Sequence, residues 1–345
     1  MKRIFLLLLG AMMVCTMQAQ VVEPNEPALI YYSPKTTLAL DFTYTVETFE
    51  AGPYAAYAEA MIGATDAVME TKQIYSLKKA SIGTQTNADY QRPHKVVPEA
   101  GVPMLLSINE KNLLVGYNSP QQDRKQDKTP NRNRKNKSGK ESICVAPLPE
   151  EVLTASTPLS QAHIVAKQIF HIRETRSFLL NGEVEHAPAD GKSMELVLAE
   201  LDKQEKALTE LFVGKKKKQT DHKFIYVDPA QQEKMLFFSE ENGFTESDNI
   251  DADTIRISLD PFVQSYAAPT EVKGKKKAPA VTQIVYNLPG TCDVKVAYQG
   301  RTLAQRKIQV AQFGIDVPIS KDLFTNGLPK IVFSEKTGNI ISITK

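Results

Sequence analysis

Tryptophan is absent from the 345 residues of this chain, and cysteine occurs only three times. The missing tryptophan argues against a carbohydrate-binding platform built from large flat aromatic side chains. Cys15 lies in the N-terminal leader, so Cys144 and Cys292 are the cysteines of the remaining chain. They could form one disulfide or stay as two buried thiols, and the lack of a spacing pattern slightly favours the thiols.

Catalytic sequence motifs are missing too. The chain has no Gly-x-Ser-x-Gly elbow, no His-Glu-x-x-His zinc helix and no Cys-x-x-Cys pair. Gly191-Lys192-Ser193 resembles the end of a phosphate loop, but His186 stands where that loop requires glycine. We interpret Asp190 and Ser193 as helix-start residues instead. The sequence therefore predicts no catalytic residue and no cofactor, and it favours a non-catalytic module over an enzyme.

Histidine and aspartate residues give only weak metal-binding patterns. His163 and His171 lie on adjacent turns of one predicted helix side, but no acidic partner accompanies them at ligand spacing. The aspartates of 248–253 begin like a calcium loop, but Ile255 occupies the next ligand position. A solvated helix edge and a turn between strands explain these residues, and no metal site is predicted.

The N-terminus carries a short apolar run. Met1-Lys2-Arg3 precedes the apolar residues 4–14, which are too few to cross a bilayer, and a small, polar segment ends at Gln20. This pattern is typical of a secretory signal peptide over residues 1–20. A lipoprotein acylated on Cys15 is the competing interpretation, but the preceding valine is larger than the residue that the peptidase prefers. We expect a periplasmic or secreted protein whose mature chain has no transmembrane segment.

The formal net charge of +2 conceals an uneven distribution. Between Asp123 and Lys140 eight basic residues face two acidic ones, and lysines cluster again at 215–218 and 273–277. These runs lack interleaved aromatic residues, so nucleic-acid binding is not predicted. We interpret them as solvated loops, and the functional alternative is attraction to an acidic glycan, an anionic lipid or an acidic partner.

Hydrophobic periodicity predicts an α+β fold that is rich in strands. Alternating apolar residues over 37–50 predict a strand, and a rhythm of three and four residues from Tyr54 to Gly63 predicts a short helix. Two longer helical segments, each ended by a glycine, predict an antiparallel hairpin over 159–213 whose apolar stripes pack on the N-terminal sheet. Further strands are predicted at 74–77, 104–108, 113–117, 224–227, 235–238 and 255–259.

Composition breaks divide the mature chain into two predicted domains. Residues 119–142 almost lack apolar side chains, and we interpret them as a basic disordered loop within an α+β domain over 21–266. A linker rich in lysine and proline is predicted at 267–279. Short strands with regular turns between them then predict a small C-terminal β-sandwich over 280–345.

Eight short sequence segments, which we call phrases, carry a resemblance to a protein family. They are Gly52-Pro53-Tyr54 with Tyr57-Ala58, Ile172-Arg173-Glu174 with Arg176, Leu180-Asn181-Gly182-Glu183, 188–193, Leu201-Asp202 with Glu205, 211–214, Pro289-Gly290-Thr291 and 310–314. Together they resemble the domain-of-unknown-function family 4831 over nearly the whole mature chain. The resemblance implies an exported protein of Bacteroidetes and attaches no activity to it. In that phylum Asp253-Thr254-Ile255 is similar to a periplasmic O-glycosylation acceptor, so Thr254 is a predicted glycosylation site.

These phrases also supply the predicted binding residues, which are Tyr54, Tyr57, Arg173, Glu174 and Arg176. The structural alternative is that Arg173 and Glu174 form ion pairs that lock the hairpin. The expected partner is an envelope protein or a glycan that is bound without catalysis. The alternative is an envelope hydrolase whose site is assembled from dispersed Asp, Glu and His residues.

Overall fold

The computed structural model describes residues 28–97, 105–119, 148–183, 190–246, 252–263, 281–324 and 327–344. In these ranges the chain is an α+β protein rich in antiparallel strands, as the sequence predicts. The helices of the described ranges are too short or too polar to cross a membrane. The predicted signal peptide, nearly all of the predicted basic loop and the predicted linker lie outside the described residues.

Twelve strands, four α-helices and two short 3-10 helices (Ala55–Tyr57 and Lys321–Phe324) make up the described fold. The strands are β1 (Leu29–Glu50), β2 (Lys72–Val96), β3 (Leu106–Ile108), β4 (Leu114–Tyr117), β5 (Lys215–Val227), β6 (Glu233–Ser239), β7 (Gly243–Thr245), β8 (Asp253–Phe262), β9 (Val281–Tyr298), β10 (Arg301–Ser320), β11 (Lys330–Phe333) and β12 (Ile340–Thr344). The helices are α1 (Ala58–Ile62), α2 (Glu150–Thr154), α3 (Pro158–Asn181) and α4 (Gly191–Val213).

The strands form three sheets. Sheet 1 has the order β2-β1-β5, sheet 2 the order β10-β9-β8-β6-β7, and sheet 3 the order β12-β11-β4-β3. The main core includes the inward faces of sheets 1 and 2. There the alternation of β1 buries Leu38, Leu40 and Phe42 completely, in one cluster with Ile257 and Val294. Each such side chain contributes roughly 1.5–3 kcal/mol through its burial.

A second core involves sheet 3 and the outer ends of two long hairpins. Tyr31 from β1 and Val96 from β2 are buried there with Ile284 from β9, Ile319 from β10 and Phe333 from β11. Strands β1, β2, β9 and β10 also contribute to the main core. The two hairpins therefore join both cores into one body.

A four-residue bulge interrupts β10 beside this junction. Val310 pairs with Gly290, but the next pair joins Ile315 to Leu288. A Cβ atom on Gly314 would lie 1.8 Å from the carbonyl oxygen of Leu288, so this position has no room for a side chain. The phrases 289–291 and 310–314 thus mark a close backbone approach.

Side chains from the bulge region join the sheets. The amide of Gln312 bonds both backbone groups of Thr36, since Oε1 accepts from Thr36 N and Nε2 donates to Thr36 O, each at 2.8 Å. The buried Asn287 Nδ2 donates to Ala311 O at 2.9 Å and to Thr337 O at 2.8 Å. These bonds connect sheet 2 to β1 and to the turn between β11 and β12.

The four helices form a separate cluster, which we call the helical unit. Three predicted helix boundaries are confirmed: the Asp190 side chain accepts from Ser193 N at 2.8 Å at the start of α4, and Gly63 and Gly182 end α1 and α3 with positive φ angles. The α-helix predicted from Tyr54 begins only at Ala58, after a 3-10 turn. Gly214 follows α4 directly, and a Cβ atom there would lie 2.3 Å from Glu50 O, so the unit sits close to the end of sheet 1.

The apolar stripes of the helical hairpin are buried differently from the prediction. Ala162, Val165 and Ile169 of α3 pack with Leu208 and Phe212 of α4, and residues of α1 and α2 complete the cluster. This cluster contains no residue of a strand, so the predicted packing on the N-terminal sheet is wrong. The short helices α1 and α2 cover the stripes instead.

Two further expectations need correction. The strands after the predicted linker form no separate sandwich, because residues 291–298 of β9 pair with β8 and β11 pairs with β4. Turn residues mark where strands end but do not reveal their partners. The lysines of 215–218 are not a loop but the first residues of β5, which pairs with β1 at the edge of sheet 1. Lysine on an edge strand discourages pairing with another chain.

Candidate functional site

The two tyrosines predicted to bind a partner are core residues of the helical unit. Tyr54 is 7% exposed, and its ring centroid lies 5.5 Å from that of Phe212. Its backbone N–H donates to Leu211 O at 3.0 Å, and its hydroxyl lies 3.5 Å from Gln161 Oε1. Tyr57 is half-buried against the same cluster. Their placement holds α1 against the hairpin rather than presenting two rings to a ligand.

Arg173 and Arg176 link the two long helices through one carboxylate. Glu205 Oε1 lies 2.6 Å from Arg173 Nε, and its Oε2 lies 2.6 Å from Arg176 Nη2. Arg176 also pairs with Asp202. Arg173 pairs with Glu205, whereas Arg176, further along α3, pairs both with Glu205 and with the earlier Asp202 of α4, so the helices are antiparallel, as predicted.

The electrostatics of Glu205 follow from this geometry. Burial raises the pKa of its carboxyl group, but the hydrogen bond from Arg173 and the charge of Arg176 outweigh burial, so the pKa is lowered. Arg173 therefore forms the predicted ion pair that locks the hairpin, and Glu205 is its partner. Glu174 is exposed and faces the groove described next.

An open groove of about 810 Å³ lies between α2 and α3. Phe170 lines it with 49% of its surface exposed, and the guanidinium carbon of Arg173 lies 5.6 Å from its ring centroid. The remaining lining mixes apolar and charged groups of both signs. It consists of Pro149, Glu151, Ile164, Lys167, Gln168, His171 and Glu174.

Large apolar side chains are exposed along the whole helical unit. Phe178 on α3 is 43% exposed, Leu196 on α4 is 72% exposed, and Leu153 on α2 is 80% exposed. Exposed apolar side chains that cluster in one region mark an interaction surface more often than scattered ones do. The further exposed members of this region are Leu148, Leu159, Leu180 and Val197.

A polar cluster that the sequence gives no sign of lies beside the second core. The Ser33 hydroxyl donates to Asp316 Oδ1 at 3.0 Å and lies 2.7 Å from His94 Nε2. Arg92 donates to Asp316 Oδ2 at 3.4 Å and to Pro34 O at 2.9 Å. These residues are up to 283 positions apart, so no spacing pattern could have revealed them.

The residue types resemble a serine hydrolase, but the geometry does not. In a catalytic triad the serine and the carboxylate contact opposite ring nitrogens of histidine. Here Ser33 Oγ and Asp316 Oδ2 both approach His94 Nε2, the latter at 3.6 Å. Ser33 directs its single hydrogen to Asp316, so histidine does not take it. Burial lowers the pKa of His94, Arg92 lowers it further, and Asp316 opposes both.

The cavity beside this cluster is too small for a substrate. It encloses about 10 Å³, which is the room of one water molecule, between Tyr31, Ser33, Leu114 and Val285. Small-molecule sites usually offer about 300–1,000 Å³. The cluster is therefore a structural cross-link between β1, β2 and β10, and it does not support the hydrolase alternative.

The remaining predicted sites are placed as follows. Thr254 is exposed on β8 and pairs with Phe237, and its glycosylation stays a prediction. Cys292 is fully buried in the main core, where burial raises the pKa of its thiol. Cys144 lies outside the described residues, so the disulfide is untested. In the described ranges no three His, Cys, Asp or Glu residues come together as metal ligands.

Comparison with known proteins identifies a family. The family model described as Domain of unknown function (DUF4831) matches residues 28–341, which span all twelve strands except the end of β12. No curated protein and no solved structure matches the chain. The resemblance carried by the eight phrases is thereby confirmed, and the chain belongs to the family Domain of unknown function (DUF4831).

Proposed function

We propose that this chain is an exported, non-catalytic binding protein of the cell envelope, and that its helical unit docks a partner protein. The observation that carries the proposal is the open groove of about 810 Å³ between α2 and α3, with the half-exposed Phe170 along it. Contacts of aromatic and arginine side chains dominate the binding energy of many protein interfaces.

The groove offers an anchor whose conformation is already fixed. Glu205 holds the guanidinium of Arg173 at 2.6 Å, and the same guanidinium lies over the ring of Phe170. Immobilising one flexible side chain on binding costs about 0.5–1.5 kcal/mol. Arg173 does not itself line the groove, but the ion pair holds it against the Phe170 ring that does, so a partner meets less of that cost here.

The lining also indicates the chemistry of the partner. Lys167 and His171 on α3 stand near Glu151 and Glu174, so the rim carries both signs of charge around an apolar wall. This arrangement fits an amphipathic helix that inserts apolar side chains and pairs its own charges at the rim.

Photo-cross-linking in the native host tests the docking proposal. A benzophenone amino acid replaces Phe170, and a matched variant carries it at Phe262, which is 64% exposed on β8. We expect one dominant protein adduct from position 170 and none of the same mass from position 262. Equal adduct patterns from both positions, or no adduct from position 170, would refute the groove as a docking site.

The leader supports the export part of the proposal. Residues 1–20 combine a cationic start with an apolar run and a small, polar end. N-terminal sequencing of the protein from its native host should find a chain that begins beside Ala19 or Gln20. A mature protein that retains Met1 would contradict export through this leader, and it would leave the cross-linking result intact.

A further inference from the structure

The outward face of sheet 1 carries a linear track of side chains. Because Leu38, Leu40 and Phe42 point into the main core, their neighbours Ala39, Asp41 and Thr43 face outward. Residues directly opposite on antiparallel strands share a face. On β5 the residues opposite Ala39, Asp41 and Thr43 are Tyr226, Phe224 and His222, and those opposite Thr45, Glu47 and Phe49 are Thr220, Lys218 and Lys216.

One end of this track is an aromatic surface whose neighbouring side chains are small. Tyr226 is 48% exposed and Phe224 is 40% exposed. In the row of Tyr226 the neighbouring strands contribute only Ala39 and Gly83, so little side chain rises beside the ring. The ring of His222 lies nearly parallel to that of Phe224, at 15° and 6.3 Å between centroids.

Hydrogen-bonding groups stand directly beside these rings. His222 Nδ1 lies 3.1 Å from Asp41 Oδ1, which fixes both side chains on the face. Asp41 on β1 lies directly opposite Ser81 on β2, and Ser81 is exposed. Although the chain lacks tryptophan, the smaller rings of Phe224 and Tyr226, flanked by a carboxylate, a hydroxyl and an imidazole, match a sugar, which presents an apolar ring face and hydroxyls around its rim.

The other end of the track is basic. Lys216 and Lys72 flank Phe49 in one row, and the Nζ atom of Lys72 lies 5.9 Å from that ring centroid. Lys218 pairs with Glu47 at 2.6 Å. Such exposed pairs contribute only about 0–1 kcal/mol, so an arriving anionic group can replace the carboxylate at little cost.

From this juxtaposition we infer that the outward face of sheet 1 binds a linear anionic polysaccharide. The aromatic end stacks on sugar rings, and the lysine end contacts the carboxylate groups of the same strand. Ten residues of an extended strand separate Lys216 from Tyr226, which is about 33 Å and accommodates several sugar units. The inference goes beyond the protein-docking groove, because it concerns a different surface and a different ligand.

Affinity electrophoresis of the purified full chain tests the inference. The probes are polygalacturonate, neutral dextran and single-stranded poly-dT. We expect polygalacturonate to retard the protein and dextran not to retard it. Retardation should weaken as salt rises from about 50 to 300 mM, because salt screens the lysines.

Variants distinguish a specific binding site from a surface that attracts the polysaccharide through its charge alone. Tyr226→Ala should weaken polygalacturonate binding about ten-fold, whereas Tyr226→Phe should bind normally because the ring remains. Phe262→Ala is the matched control on β8 and should have no effect. Unchanged unfolding midpoints show that each variant is folded, which is expected for these exposed positions.

Three results would overturn the inference. They are no retardation by polygalacturonate at low salt, equal binding by wild type and Tyr226→Ala, and stronger retardation by poly-dT than by polygalacturonate through the same residues. None of them bears on cross-linking at Phe170, so the two proposals fail independently.

Discussion

Asn287→Asp is the sharpest test of how the sheets are held together. The substitution changes the amide nitrogen to an oxygen and keeps the shape of the side chain. In the wild type this nitrogen donates to Ala311 O at 2.9 Å and to Thr337 O at 2.8 Å, and the residue is 2% exposed. The variant leaves both carbonyl oxygens without a donor and places a carboxylate between them.

The magnitude follows from the two lost bonds. A buried polar group left without its partner costs about 1–3 kcal/mol, and burying an uncompensated charge adds to this cost. We expect the free energy of unfolding to fall by about 3–5 kcal/mol at neutral pH. That is a large part of the roughly 5–15 kcal/mol that stabilises a folded protein.

The assay is urea unfolding at two pH values. Burial between two carbonyls favours the neutral acid, so the pKa of the aspartate at position 287 is raised above its unfolded value of about 3.9. Its penalty is therefore largest at neutral pH and shrinks as pH falls, when the protonated acid can donate one hydrogen bond. Asn87→Asp, at an exposed position on β2, is the control and should change stability by less than about 0.5 kcal/mol. A penalty below 1 kcal/mol, or one equal at pH 7.5 and 4.5, would refute the reasoning.

Two further variants probe other parts of the same junction. Burial lowers the pKa of His94 in the folded protein, so the unfolded chain takes up the proton first as pH falls. The free energy of unfolding of the wild type should therefore decrease between pH 7 and pH 5. In His94→Gln this decrease should be smaller. Unfolding midpoints across this range measure it, and an identical slope in both proteins would contradict it. Gly314→Ala should cost about 3 kcal/mol or more, because its Cβ would lie 1.8 Å from Leu288 O, whereas Gly191→Ala meets nothing within 4 Å and should be neutral or slightly stabilising. Equal unfolding midpoints for these two glycine variants would argue against the close approach.

The helical unit was predictable from sequence because its determinants are local. Apolar residues at three and four residue spacing defined α3 and α4, and Asp190 and Gly182 marked their boundaries within one turn. The elements that cover these apolar stripes could not be predicted from local sequence. The covering helices α1 and α2 are five residues each, too short for periodicity to place them against the hairpin.

Which strands pair with each other could not be predicted from the sequence, for a different physical reason. The strand period of two shows which face of β1 is buried, but it says nothing of whether β5 or β10 lies beside it. The lysines of 215–218 concealed the start of β5, because an edge strand tolerates charge on both faces. Strand β2 extends over 25 residues, of which the sequence indicated only 74–77.

The candidate site was predicted only in part. Arg173 and Glu174 were predicted as the alternative to form ion pairs that lock the hairpin; Arg173 does so with Glu205, whereas Glu174 lines the groove. The groove was not anticipated, because Phe170 was one apolar residue among many in a helical pattern. Ser33, His94 and Asp316 were missed altogether, since three strands far apart in sequence bring them together.

The pairing of β11 with β4 has a consequence for the order of synthesis. Ile331 lies opposite Tyr117, so sheet 3 joins strands that are more than 200 residues apart in the sequence. The inward face of β1 likewise waits for Val294 and Val310, which a ribosome adds more than 250 residues after Leu38. A nascent chain therefore carries an open apolar face on β1 until these later strands have been made. Slow folding and a need for protection from aggregation until those strands are made follow from that order.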